Sequence, residues 1–154
     1  MVGRRRRFAL SDTVQQVVGG FLLAGPFVVT EEVWVLAAGM SVVQSLATVV
    51  IVLAIGYGAL YKADDRNPDR ETEVGGIPVR FISLIAVSYL SVFILALAFD
   101  APGTFLADIA QADPNAVEIL GMTLSGAVLD VTVKATSVGA VFSVIGAATA
   151  DSLF

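Results

Sequence analysis

Residues 14–61 form an apolar block in which Glu31 and Glu32 are the only charged residues between Asp12 and Lys62. As one helix this block would be about 70 Å long, more than twice the roughly 30 Å hydrocarbon core of a bilayer. It therefore holds two spans and a turn. The sequence offers two breaks. One is Thr30-Glu31-Glu32. The other is 37-AAGMS-41, where Gly39 suits a helix C-terminus and Ser41 the next N-cap. A turn at Gly39 gives spans of 14–37 and 42–61, both of sound length. A turn at Glu31 gives a short first span and an overlong second. The first placement is favoured, with Pro26 as a kink.

The whole chain follows this pattern. Of its 154 residues, 56 % are hydrophobic and only 15 % charged, and the mean hydropathy is +0.85. Soluble domains run nearer 25 % charged. The fold class expected is all-α, a polytopic transmembrane helical bundle of four spans with a possible fifth partial span. There is no cysteine and no histidine. Cys-ligated metal and disulfides are excluded, and the commonest general base is missing. No nucleotide-loop, nucleophile-elbow or metal-helix motif is present. No catalytic residue, metal or cofactor is expected, and the protein is not read as an enzyme.

Residues 1–13 read as a basic cytoplasmic tail, with arginines at 4–7, followed by one transmembrane domain over 14–154. Residues 62–79 are a charged loop rich in Pro and Gly. A third span covers 79–99, and residues 100–114 form a second loop in which 104–112 suits a short interfacial helix. A fourth span is expected at 116–136, with 138–150 a helical continuation or a short second pass. The Lys and Arg residues of the tail and first loop have no counterpart in the 37–41 hairpin or the 100–114 loop. The positive-inside tendency then places the N-terminus in the cytoplasm of a cell-membrane protein. The acidic balance, net −5 with pI near 4.5, resembles halophilic composition. Nucleic acid is not an expected partner; the lipid bilayer is.

Ionisable groups inside spans are costly and face protein or water. Three sets qualify. Glu31 and Glu32 repel each other, which a shared proton or bound cation would relieve; solvation at a rim is the plainer reading. Ser41, Gln44, Ser45 and Thr48 share one helix face, which suits a polar outer cavity opposite the glutamates or ordinary interhelical hydrogen bonding. Asp130 and Lys134 stand i,i+4 in the favourable order. They suit either a gate in the cytoplasmic half or a self-neutralised structural pair.

The segments 19-GGFLLAGPFVVTEEVW-34 and 145-IGAATADSLF-154 resemble a prokaryotic family of small integral membrane proteins classed only as a domain of unknown function, with members in extreme halophiles. The recurring G…P…T-x-E-x-W feature of that family falls here on Gly25, Pro26, Thr30, Glu32 and Trp34. The resemblance implies a membrane fold without an established activity, and it singles out Glu32 above Glu31. The leading functional expectation is ion or small-solute permeation by a homo-oligomer, with a cation or proton as partner. The alternative is a non-transporting accessory or assembly subunit whose polar groups dock helices.

Overall fold

In the computed structural model, residues 8–63 and 66–153 are described; the arginines at 4–7 lie outside them. The chain runs α1 (Leu10–Val28), α2 (Glu31–Gly39), α3 (Val42–Tyr57) with a π-helical extension (Gly58–Ala63), a 3-10 turn (Pro68–Arg70), the hairpin β1–β2 (Glu73–Val74, Ile77–Pro78), α4 (Val79–Ala98), α5 (Ala101–Phe105), α6 (Ala107–Ala112), the hairpin β3–β4 (Val117–Ile119, Met122–Leu124) and α7 (Gly126–Leu153). By length and composition, α3 with its extension, α4 and α7 can each cross a membrane, and the bent pair α1–α2 makes a fourth candidate. Mostly helical structure with three to four candidate spans agrees with the expected class.

The first expected span, 14–37, is broken. α1 ends at Val28 and α2 leaves it at 81°. The chemistry of the corner explains this. Pro26 has no N–H and disrupts the helical ladder, and the Thr30 hydroxyl bonds back to the Pro26 carbonyl. The Trp34 indole N–H then donates to the Val28 carbonyl at 2.9 Å, satisfying one of the orphan acceptors at the end of α1. Glu31 and Glu32 fall in the first turn of α2, where the helix dipole favours negative charge. Both candidate breaks are therefore used. α3 begins after Ser41, whose Oγ accepts from the Gln44 N–H at 3.3 Å while Gln44 Oε1 accepts from the Ser41 N–H at 2.8 Å. This is a reciprocal cap.

The expected fourth span at 116–136 also differs. Residues 117–124 pair as an antiparallel hairpin turned at Leu120 and Gly121, whose φ values are +53° and +78°. Two central residues with positive φ match the twist of a two-residue hairpin. The helix starts later, where Ser125 Oγ accepts from the Val128 N–H at 3.2 Å. It then runs unbroken for 28 residues, about 42 Å, and includes 138–150 as a continuation. The hairpin is tied to α7 through Asp113. The Ser125 hydroxyl, with the Asn115 backbone N–H, holds the Asp113 carboxyl below the usual carboxylate range.

α1, α4 and α7 pack as the core, with α1 and α4 parallel and α7 antiparallel to both. α3 lies against α7 and α4, and α2 lies across α7. The α1–α7 contact rests on small residues. A Cβ on Gly19 would strike the Gly146 carbonyl, and one on Gly146 would lie 2.9 Å from Leu23 Cγ. Such approach is how helices gain contact where lipid supplies no hydrophobic drive. Apolar clusters flank this contact. One gathers Ala24, Trp34, Ala96 and Leu106; the other gathers Leu60, Leu84, Ala140 and Val144.

Gly146→Val is expected to lower stability by about 1–3 kcal/mol or more through overpacking. Gly25→Ala, with nothing within 4 Å of the new Cβ, should hold or raise it. Thermal unfolding in one detergent reads both. Separately, Ser125→Ala should raise the Asp113 titration midpoint in an NMR pH series. Because folding depresses the Asp113 pKa, its stabilisation is present above the unfolded carboxylate value and is lost as pH falls through the folded one.

Candidate functional site

Two residues stand at helix ends where the dipole disfavours them. Arg80 is the second residue of α4, and Asp151 is in the last turn of α7. A cation at an N-terminus and an anion at a C-terminus each cost some stability. Packing α4 against α7 in opposite directions brings the two together. Arg80 Nη1 donates to both Asp151 oxygens, at 2.7 and 2.9 Å. The Asp151 side chain is 0 % exposed and that of Arg80 8 %.

Four more segments close around this pair. Asp12, from the first turn of α1, accepts from Arg80 Nη2 at 2.9 Å. Glu71, ahead of the β1–β2 hairpin, places Oε1 3.4 Å from Arg80 Nε. That is an ion-pair approach without hydrogen-bond geometry. The Tyr61 hydroxyl holds the other Glu71 oxygen at 3.0 Å. Arg66 donates to Asp151 Oδ2 at 2.8 Å and to the Asp151 backbone carbonyl at 3.2 Å, so it also caps α7. Gln16, one turn after Asp12, donates to Asp151 Oδ1 at 3.3 Å and accepts from Ser83 at 2.7 Å. The Phe8 ring lies 5.3 Å from the Arg80 guanidinium, within cation–π range.

Among the described residues the centre holds three carboxylates and two guanidinium groups. Burying such charges costs several kcal/mol per ion before pairing, and good geometry with extra hydrogen bonds repays it. Asp151 meets that condition: arginine and glutamine donors occupy both of its oxygens. The arrangement can fix α1, α4 and α7 in one register at this end of the bundle.

The residues singled out from sequence lie elsewhere. Glu31 and Glu32 are exposed at the α1–α2 corner, and neither carboxylate has a side-chain partner among the described residues. Ser41 and Gln44 serve the α3 cap. Ser45 bonds back to the Ser41 carbonyl at 3.2 Å. Thr48 reaches the Ser45 carbonyl at 2.7 Å and shares a 3.1 Å contact with Ser137 Oγ, which also lies 3.1 Å from the Tyr89 hydroxyl. This is the only one of those side chains to bridge helices. Asp130 and Lys134 do pair, at 2.6 Å. Because α7 begins at Gly126, they stand near its start, at the end opposite Asp151. Ser45 and Lys134 line a lateral groove of about 430 Å³ between α3, α4 and α7, otherwise mostly apolar. The glutamates take no part in it. A larger opening, about 450 Å³, lies between α4, α5, α6, the β3–β4 hairpin and α7.

The family of the chain follows from comparison. Residues 4–101 match the family model "Putative integral membrane protein (DUF2391)". The chain belongs to this family. Lipid contact is thereby implied, in agreement with the apolar helices. No curated protein and no solved structure matches the chain. The family match takes in Asp12, Gln16, Arg66, Glu71 and Arg80 and stops before α7. Asp151, the residue on which this group converges, lies outside it. None of these residues is among the candidates drawn from the sequence: Asp12 falls in the 1–13 tail, Arg66 and Glu71 in the 62–79 loop, and Gln16 and Arg80 at the starts of the expected 14–37 and 79–99 spans. The available signal was that Arg80 and Asp151 both oppose their helix dipoles, and that Asp12 and Gln16 share a face at i,i+4.

Asp151→Asn strips Arg80 and Arg66 of their common partner and should destabilise the fold by about 3–5 kcal/mol. Arg80→Gln combined with Asp151→Asn should cost less than the sum of the two single changes. Unfolding midpoints of the three variants provide the check, and strict additivity would contradict direct coupling.

Proposed function

We propose that this protein is a non-transporting membrane subunit whose intramembrane polar groups lock its helices and whose lipid-facing surface docks other copies. The observation that carries this reading is the contact between the α1 and α7 backbones at Gly19 and Gly146. It sits one turn beyond the Gln16–Asp151 bond, on the axis where polar side chains collect. A solute path there would have to separate two backbones in direct contact. The buried charges also favour a lock: they are spent on one another, across elements as far apart in sequence as Gln16 and Asp151. Permeation draws less support, since Glu31 and Glu32 line neither of the two openings described above, while Ser45 lines one of them.

The docking surface in this reading is α3. Val42, Val43, Leu46, Val50 and Ile51 are exposed, and this span is less covered by the rest of the chain than α4 or α7. Self-association would bury that face beyond what lipid contact alone gives, through packing between helices.

Two measurements test the proposal. Purified protein in liposomes should pass protons and monovalent cations no faster than protein-free liposomes. Flux that Asp151→Asn or Glu32→Gln alters would overturn the non-transporting assignment. The chain has no native cysteine, so Val50→Cys should form a cross-linked dimer in native membranes while Ile145→Cys, exposed on α7, should not. Equal cross-linking at both positions would remove α3 as the docking face.

A further inference from the structure

The opening at the α2 end of the bundle is lined by none of the residues of the ion-pair network. Its volume, about 450 Å³, falls within the roughly 300–1,000 Å³ range of small-molecule sites. Phe93 and Leu97 of α4 and Val128 and Leu129 of α7 form its apolar walls. Asp100, Gln111 and Thr123 bring polar groups to it from the chain segments that roof it. Met122 and Leu124 also line the roof and Thr132 the α7 wall, so polar groups are most frequent at, but not confined to, the level where α4 ends.

Charge selects the class of ligand. From Phe81 to Val133 the chain contains no Lys or Arg, while Asp100, Asp108, Asp113 and Glu118 all fall in the segments around the roof. Asp113 is engaged by Ser125 and the Asn115 N–H. Asp100 lines the cavity and has no cationic or hydrogen-bonding side-chain partner among the described residues. Asp100 is exposed, its backbone is in the left-handed region with φ +50°, and its carboxylate oxygens lie 2.5 Å from where a Gly103 Cβ would stand. Gly103 thus leaves space that the carboxylate fills. A low-dielectric wall beside an unneutralised carboxylate attracts cations.

We infer that this cavity is a binding site for an amphipathic organic cation, an ammonium head at Asp100 with an apolar body against Phe93, Leu97 and Leu129. Such a ligand matches the site's depth, since an amphipathic molecule keeps its head at the interface and its body among apolar groups. The site does not depend on whether the protein conducts.

The test uses the full chain in nanodiscs of zwitterionic phosphatidylcholine, with empty nanodiscs subtracted. Flow dialysis follows octyltrimethylammonium and octyldimethylamine oxide, which share a chain but differ in net charge. The cation should bind saturably and more tightly than the amine oxide, and its binding should weaken as salt is raised. Asp100→Asn keeps a residue tolerant of the left-handed region and should weaken cation binding about three- to fivefold, the scale of an exposed ion pair, leaving the amine oxide within about twofold. Glu118→Gln, outside the lining, should change neither. Ala107→Trp should abolish both by filling the cavity. Absence of saturable cation binding to wild type overturns the inference. So does equal affinity for the amine oxide, or binding indifferent to salt and to Asp100→Asn; both signify simple partition into lipid.

Discussion

The contact between Arg80 and Asp151 sets the geometry of this molecule. In water an ion pair at such distances is worth little. Removed from water, each charge alone would be prohibitive, and the two are tolerable only together. That all-or-none character is what gives the pair structural force. α4 and α7 must present these residues at the same depth, so their relative shift along the bundle axis is fixed. Asp12 and Gln16 extend the same demand to α1. Arg66 and Glu71 extend it to the segment between α3 and α4. One small group of charges thereby registers elements that hydrophobic packing alone would let slide, since apolar surfaces in lipid have no strong preference for register.

The close approach of α1 and α7 depends on that register. Gly19 and Gly146 permit backbone contact only where they face each other, and a shift of one residue would put Val18 or Ile145 into the gap. Ser143, one turn along α7, donates to the Gly20 carbonyl at 3.0 Å and marks the same alignment. Phe27 and Phe142 then stack beyond it. Polar pairing, glycine contact and aromatic stacking follow in sequence along one helix pair, each consistent with a single axial position. Consistency between such levels is what gives one structure preference over its near alternatives.

Hydropathy and length made the spans around 42–61 and 79–99 legible, because twenty apolar residues in a row have few other uses. The α1–α2 corner was half legible. Pro26, Thr30 and the glutamates signalled a break, but span-length arithmetic argued for a continuous helix, and the bond from the Trp34 indole to Val28 that favours the bend is visible only in three dimensions. The 117–124 hairpin was masked by its own apolarity: Val117, Ile119, Met122 and Leu124 read equally as part of a span, and only the positive φ at Leu120 and Gly121 separates the cases. The ion-pair network was the least legible part. Asp12, Arg66 and Glu71 sit in segments that read as a tail and a loop, Gln16 and Arg80 only begin expected spans, and the bonds that tie α1 and α4 to each other and to Asp151 join residues some 70 to 135 positions apart.

The two ends of the bundle are physically unlike, and α7 is the element they share. At one end, among the described residues, Arg66 and Arg80 meet Asp12, Glu71 and Asp151 within a packed interior. At the other, Glu31, Glu32, Asp100, Asp108, Asp113, Glu118 and Asp130 face a single Lys134, and the elements that carry most of them are short. Short helices and a two-residue turn bury few apolar groups and leave backbone hydrogen bonds near solvent, which are the marks of low local stability. The end with the open cavity is thus also the end able to rearrange at small cost. Any movement there acts on the first turns of α7, while its last turn is held by two arginines. A ligand at Asp100 would therefore be felt as a tilt or local adjustment of α7 about a fixed far end, and not as a displacement of the whole helix.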